Sequence, residues 1–190
     1  MKRAFMRISA WLLLVGSVVA CTGVPEGAKV VQPFAVEPYM GVWHEVARLD
    51  NRFERGLTKV TAQYKLLDDG RIQVTNRGFD AESGEWQQAD GVARFVSEEA
   101  KTAQRAELEV SFFGPFYASY NVVKLSSDYQ YALVVGKDTE YAWLLAKTDT
   151  PDPMICQQFF AEAQRLGIAP QQWVHLLPCQ ANDAAQPSKT

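Results

Sequence analysis

Histidine and cysteine are the scarcest chemistry-bearing residues of this 190-residue chain, with two of the first and three of the second. A zinc cluster usually takes four such ligands close in space, so a metal site of that kind is excluded. No Gly-X-Ser-X-Gly elbow, glycine-rich phosphate loop or paired-histidine motif occurs either. Those absences remove the common hydrolase, nucleotide and zinc-protease signatures, and no cofactor is implied. Basic charge is also short. Nineteen Lys and Arg against 22 Asp and Glu give a net charge of −3, which offers nucleic acid no electrostatic footing. No apolar run reaches the roughly 20 residues of a spanning helix. What is present is 47% apolar and 12% aromatic content, enough for one well-buried core.

The first twenty residues carry Lys2, Arg3 and Arg7 and then thirteen largely apolar residues from Ile8 to Ala20. Charge followed by a short apolar run is the plan of an export signal. The Val18-Val19-Ala20-Cys21 sequence resembles a bacterial lipobox, which implies cleavage before Cys21 and acylation of that cysteine. The alternative is an ordinary secretory signal followed by an incidental cysteine. Several acyl chains make a firm membrane anchor, since each buried methylene contributes about 0.8 kcal/mol. Thr22, rather than Asp, follows Cys21 and resembles lipoproteins sent to the Gram-negative outer membrane. Without Lys2, Arg3 and Arg7, sixteen basic groups face twenty-two acidic ones, a net charge of about −6. Attachment therefore rests on the acyl anchor and not on attraction to anionic lipid.

In an oxidising compartment Cys156 and Cys179 are the remaining thiols, and a disulfide between them is expected, the alternative being two separate buried thiols. Residues 21–37 are rich in Gly, Pro and small side chains, which predicts a loose tether. Residues 181–190 read as a second loose tail, leaving 38–180 as one domain.

Short alternating runs fill that domain: 41–49, 58–67, 71–79, 86–96, 106–112, 117–125, 129–136 and 141–148. Period-two alternation marks strands with one wet and one dry face. Asp68-Asp69-Gly70, Ser83-Gly84, Gly114-Pro115 and Ser126-Ser127-Asp128 supply turns between them. Eight hairpin-linked strands make either a two-sheet sandwich or a closed barrel, and a barrel of that size can hold one small ligand. Beyond 148 the period changes to 3.6. Ile155, Phe159, Ala163 and Leu166 share a face, with Asp152 and Pro153 at the start and Gly167 at the stop. A short ninth strand over 172–177 follows.

Gly41-Val42-Trp43 on the first strand resembles the Gly-X-Trp signature of the lipocalin family. Ser127-Asp128-Tyr129 resembles its second motif, and Lys147 holds the basic position of its third. The chain is most similar to the bacterial outer-membrane lipocalins over Pro38 to Val174. That likeness includes Arg52-Phe53-Glu54-Arg55-Gly56-Leu57, Trp86-Gln87-Gln88 and Ser111-Phe112-Phe113-Gly114-Pro115-Phe116-Tyr117. The resemblance implies an all-β, eight-stranded, antiparallel up-and-down barrel with a helix outside, and a base built on Gly41, Trp43, Asp128, Tyr129 and Lys147. Lys147 replaces the family's usual Arg; its ammonium can sit on the Trp43 ring but lacks the planar fork. Related animal lipocalins often tie a C-terminal Cys to the barrel, but here no barrel strand carries one, leaving Cys156 as the partner of Cys179.

With Trp43 inward, as the family implies, alternation puts Glu45 and Ala47 inward as well. Sending charged residues outward on the other strands turns Val60, Ala62, Tyr64, Val74, Ala93, Leu108, Val110, Asn121 and Val123 inward, with Ile72 and Asn76, and Trp143 and Leu145, which share a face with Lys147, line the wall above it. Glu45 is either a head-group contact or half of a salt bridge, because an unpaired buried carboxylate is costly. Small inward residues such as Ala47, Ala62 and Ala93 leave room for a guest; the alternative is a barrel filled by its own side chains. The 50–57 segment and the 112–117 turn should rim the mouth. Four aromatics in that turn suggest membrane docking or a homodimer, unless they pack internally. The resemblance points to fatty acids or lysophospholipids as ligands, stored or carried during membrane maintenance. No catalytic residues are expected: His44 should point outward beside inward Trp43, and His175 should lie at the surface.

Overall fold

The computed structural model describes residues 23–179; the expected leader, the expected acylation at Cys21 and the expected 181–190 tail lie outside the described residues. Nine strands form one antiparallel sheet: β1 Gly41–Leu49, β2 Leu57–Leu66, β3 Ile72–Asp80, β4 Glu85–Phe95, β5 Glu107–Phe113, β6 Phe116–Leu125, β7 Tyr131–Val135, β8 Ala142–Ala146 and β9 Trp173–His175. Each of β2 to β8 pairs with its successor, β8 pairs with β1, and β1 pairs with β2, so eight strands close into a barrel. Closure leaves no long unpaired edge. Among the described residues three α-helices accompany them: α1 Val36–Tyr39, α2 Glu98–Thr102 and α3 Pro153–Arg165. The β7 strand starts at Tyr131, later than alternation suggested, because Tyr129 has a positive φ of 58° and belongs to the turn.

The barrel does not close uniformly along its length. β1 pairs with β2 only through Gly41–His44, and from Ala47 to Leu49 it takes β9 as its neighbour. Its upper half thus parts from β2, opening a slit that the 50–57 segment covers. Arg48 secures that cover by donating to the backbone carbonyls of Glu54 at 2.6 Å and Leu57 at 3.2 Å.

Two apolar clusters hold the molecule together. One lies outside the barrel, where Val46, Leu133, Val135 and Leu144 meet Cys156, Phe159 and Ala163 of α3. Asp152 caps α3 by accepting from the Met154 amide at 2.8 Å, and the Cys156–Cys179 disulfide ties the helix to the C-terminal segment. The other fills the barrel base with Phe34, Tyr39, Trp43, Ala132, Val134 and Leu145. Trp43 Nε1 donates to Tyr39 O at 2.8 Å. Lys147 Nζ stands 5.2 Å from the Trp43 ring centroid and donates to Pro38 O at 2.6 Å and Met40 O at 2.9 Å. A single ammonium therefore both covers the ring and pins the chain that enters β1.

The tether expected over 21–37 is corrected from Gly23 onwards. Val31 donates to Val122 O at 2.9 Å and accepts from Ala106 N at 3.0 Å, bridging β6 and the start of β5. Phe34 is buried among Tyr39, Phe95 and Tyr129, and the Ala35 amide donates to Tyr129 Oη at 3.0 Å. Residues 31–37 plug the base, while Gly23 lies along β6. The Gly and Pro residues of the segment shape turns between the anchoring contacts.

Candidate functional site

Above the Trp43 layer the barrel is hollow. The cavity measures about 630 Å³, within the size range of small-molecule sites. Glu45, Val60, Ala62, Tyr64, Val74, Ala93, Leu108, Val110, Trp143 and Leu145 line it, as do Ile72 and Asn76. The alternative of a filled barrel is thereby removed. The lid residues Asn51 to Glu54, with Leu57, and the turn residues Phe112, Phe113, Phe116 and Tyr117 surround the mouth.

Ala47, Asn121 and Val123 are corrections. The β1–β8 register shifts between Glu45 and Ala47, so the extra residue Val46 reverses the alternation. Ala47 lies against α3, and Arg48 turns inward beside Glu45. β6 has a second shift between Val122 and Lys124. Lys124 points to the helix and donates to Gln158 O at 2.7 Å, but counting back from it crosses that bulge. Tyr120 and Val122 face in, while Val123 packs against α3. Asn121 is buried outside the cavity, donating to Gly23 O at 2.8 Å and Gly136 O at 2.9 Å. A β-bulge inserts one residue into one strand and flips every side chain beyond it.

The polar groups fall into two sets. Deep inside, Tyr120 Oη lies 2.7 Å from Tyr39 Oη and 2.9 Å from Tyr64 Oη. Burial pushes all three phenols up, so they stay neutral. Asn76 Oδ1 is buried with no hydrogen-bond partner among the described residues. Under the lid, Arg48 Nη1 donates to Glu45 Oε1 at 2.8 Å, which answers the salt-bridge alternative for Glu45 while leaving it on the cavity wall. Glu54 Oε2 accepts from Trp143 Nε1 at 2.9 Å and Asn51 Nδ2 at 2.7 Å. Burial, then the neighbouring Glu54 carboxylate, pushes Glu45 up to about 8, although Arg48 opposes both. Arg48, Tyr39 and Tyr120 escaped the sequence reading. Tyr120 and Arg48 sit just beyond the two bulges, where local alternation misleads.

At the rim, Arg52 stands 4.7 Å from the Phe53 ring centroid and Arg77 5.1 Å from that of Trp86, and both arginines line the cavity. A hollow barrel with an apolar wall, one open end and cationic rim groups is the architecture of a small-molecule binding protein. The lipocalin-like domain model matches residues 34–176, and the chain belongs to that family. It is 47% identical over 153 residues to outer membrane lipoprotein Blc of Escherichia coli K12, covering 80% of this chain and 84% of that one. Identity to outer membrane lipoprotein Blc of Vibrio cholerae is 46% over 167 residues, covering 87% and 93% respectively. Among solved structures, insecticyanin from the tobacco hornworm Manduca sexta has a TM-score of 0.65 at 20% identity, covering 84% of this chain and 90% of that one. That last likeness concerns the fold alone.

Proposed function

We propose that this protein is a lipid-anchored lipocalin of the Gram-negative outer membrane that binds, stores or carries one fatty acid or lysophospholipid during membrane maintenance. The observation that carries the reading is the 630 Å³ cavity with its predominantly aliphatic and aromatic lining. Partition drives binding: each methylene leaving water for this wall contributes about 0.8 kcal/mol. Arg52 and Arg77 suit a carboxylate or phosphate head held at the rim, since a guanidinium presents paired donors to either group. The names of the Escherichia coli and Vibrio cholerae relatives support an outer-membrane lipoprotein, and the Val18-to-Cys21 motif supports Cys21 as the acylated residue. Binding by partition needs no bond-making step, so the reading is of a carrier and not an enzyme.

The test purifies the protein, identifies co-extracted lipids by mass spectrometry, and titrates palmitate and lysophosphatidylglycerol by tryptophan fluorescence. Co-extracted single-chain lipids and saturable titrations are expected. Trp143→Ala should weaken binding about tenfold, corresponding to about 1.4 kcal/mol. An empty extract together with no fluorescence response would end the carrier reading. Replacing Cys21 by Ser should move the protein out of the membrane fraction, and retention there would refute the anchor.

A further inference from the structure

Four hairpins meet at the open end, and their tips differ in chemistry. The β3–β4 tip carries Asp80, Glu82 and Glu85, and the β7–β8 tip carries Lys137, Asp138 and Glu140. The β1–β2 lid holds Asp50, Arg52, Glu54 and Arg55. Only the β5–β6 tip, residues 112–117, has no charged residue. Phe113 and Phe116 at its point are 75% and 79% exposed, so the alternative of an internally packed turn does not hold for them. Both also belong to the cavity lining, which makes one apolar path from the tip into the barrel.

The N-terminal segment arrives at this same hairpin. From Val31, bonded to Val122, the chain runs back to Gly23, whose amide donates to Ser119 Oγ at 2.8 Å and whose carbonyl accepts from Asn121. Asn121 also bonds Gly136, where β7 ends at the mouth. Ser119 is three residues from Phe116 along β6, about 10 Å at strand rise. Cys21 is two residues upstream of Gly23 and so within about 7 Å of it. We propose that the β5–β6 tip is a membrane-inserting wedge: Phe113 and Phe116 enter the bilayer that holds the acyl chains of Cys21, setting the barrel mouth against the lipid surface. The occupant of this exposed aromatic patch is a phospholipid leaflet, and the proposal rests on the acylation reading above.

The geometry explains the division of labour among the tips. Phenylalanine side chains leave water for the acyl boundary, while Arg94, stacked 4.2 Å from the Tyr117 ring centroid, stands just behind them at headgroup level. The acidic β3–β4 tip is unsuited to the same boundary and stays in water, so the barrel tilts with the β5–β6 tip lowest. A single-chain lipid then passes between leaflet and cavity along aromatic surface without crossing bulk water.

The experiment uses the full acylated protein in vesicles of phosphatidylethanolamine and phosphatidylglycerol. Nitroxide labels at Phe116→Cys, Glu82→Cys and Asp149→Cys report collision with oxygen and with a water-soluble nickel complex. The label at 116 should sit at apolar depth, with those at 82 on the acidic tip and 149 at the base in water. A second measurement needs no added cysteine: Gly114→Asp puts a carboxylate on the tip, where a Cβ meets nothing within 4 Å. Its rate of lipid uptake from vesicles should fall at least tenfold, while affinity for ligand supplied as monomers is unchanged. A water-exposed label at 116, or wild-type uptake by Gly114→Asp, overturns the wedge and leaves the anchor standing. Membrane recovery of Cys21→Ser at the wild-type level overturns the anchor and this orientation together.

Discussion

The closed base and the open mouth are built from the same eight strands and obey opposite packing rules. At the base, Phe34, Tyr39, Trp43 and Tyr129 meet ring to ring, and Lys147 bonds the chain across them. Above them the inward positions shrink to residues such as Ala62 and Ala93, and the wall is left facing space. Volume stabilises the first region and would obstruct the second. Apolar content alone cannot tell a core from a binding site; the size of facing residues can.

The largest effect should come from truncation at the base. Trp43→Ala is expected to cost about 3–5 kcal/mol in chemical unfolding, because the cavity it leaves cannot collapse against a closed barrel. A loss below about 1 kcal/mol would mean that the base is not the keystone of the fold.

Glu45→Gln should come next and should depend on pH. Its carboxyl titrates near 8 when folded and near the ordinary 4.5 when unfolded, so the folded state holds the extra proton between those values. The stabilisation tied to that proton is complete below about 4.5 and is lost as pH rises through 8. Relative to the Gln variant, the wild type should lose stability between pH 4.5 and 9, by no more than about 4–5 kcal/mol, read from urea midpoints. Parallel pH curves would show that Glu45 is ionised throughout.

Adding volume to the cavity should act on binding more than on stability. Ala93→Leu should weaken palmitate binding about tenfold, about 1.4 kcal/mol, with unfolding changed by less than that. Unchanged affinity would place the ligand elsewhere. The smallest effect is expected from Lys147→Arg, within about 1 kcal/mol in unfolding, since a guanidinium can cover the Trp43 ring as well as an ammonium does.

Much of the architecture was legible because its signals are local. Turn residues divided the chain into eight runs, the switch to a 3.6 period placed α3, and Asp152 and Gly167 bounded it. α2 escaped that pattern because five residues, Glu98–Thr102, are too few to show a period; Ser97 caps it by accepting from Ala100 N at 3.1 Å. The wall was legible wherever a strand stayed regular. Trp143 and Leu145 on β8 and Val60, Ala62 and Tyr64 on β2 follow simple alternation into the cavity. Ala47, Asn121 and Val123 did not, since a bulge arises from the register between two strands and leaves no mark in either one.

Alternation and turn residues by themselves marked out eight antiparallel strands, and the resemblance carried by the motifs pointed to a barrel with Trp43 at its base and to the Cys156–Cys179 pair. Tertiary structure alone decided that Arg48 faces Glu45, that residues 31–37 plug the base, and that Gly23 lies along β6 near the aromatic tip. The physical reason is range. Backbone preferences and side-chain period act over a few residues, whereas these contacts join segments up to about a hundred residues apart, such as Gly23 and Ser119, and exist only once the barrel has closed.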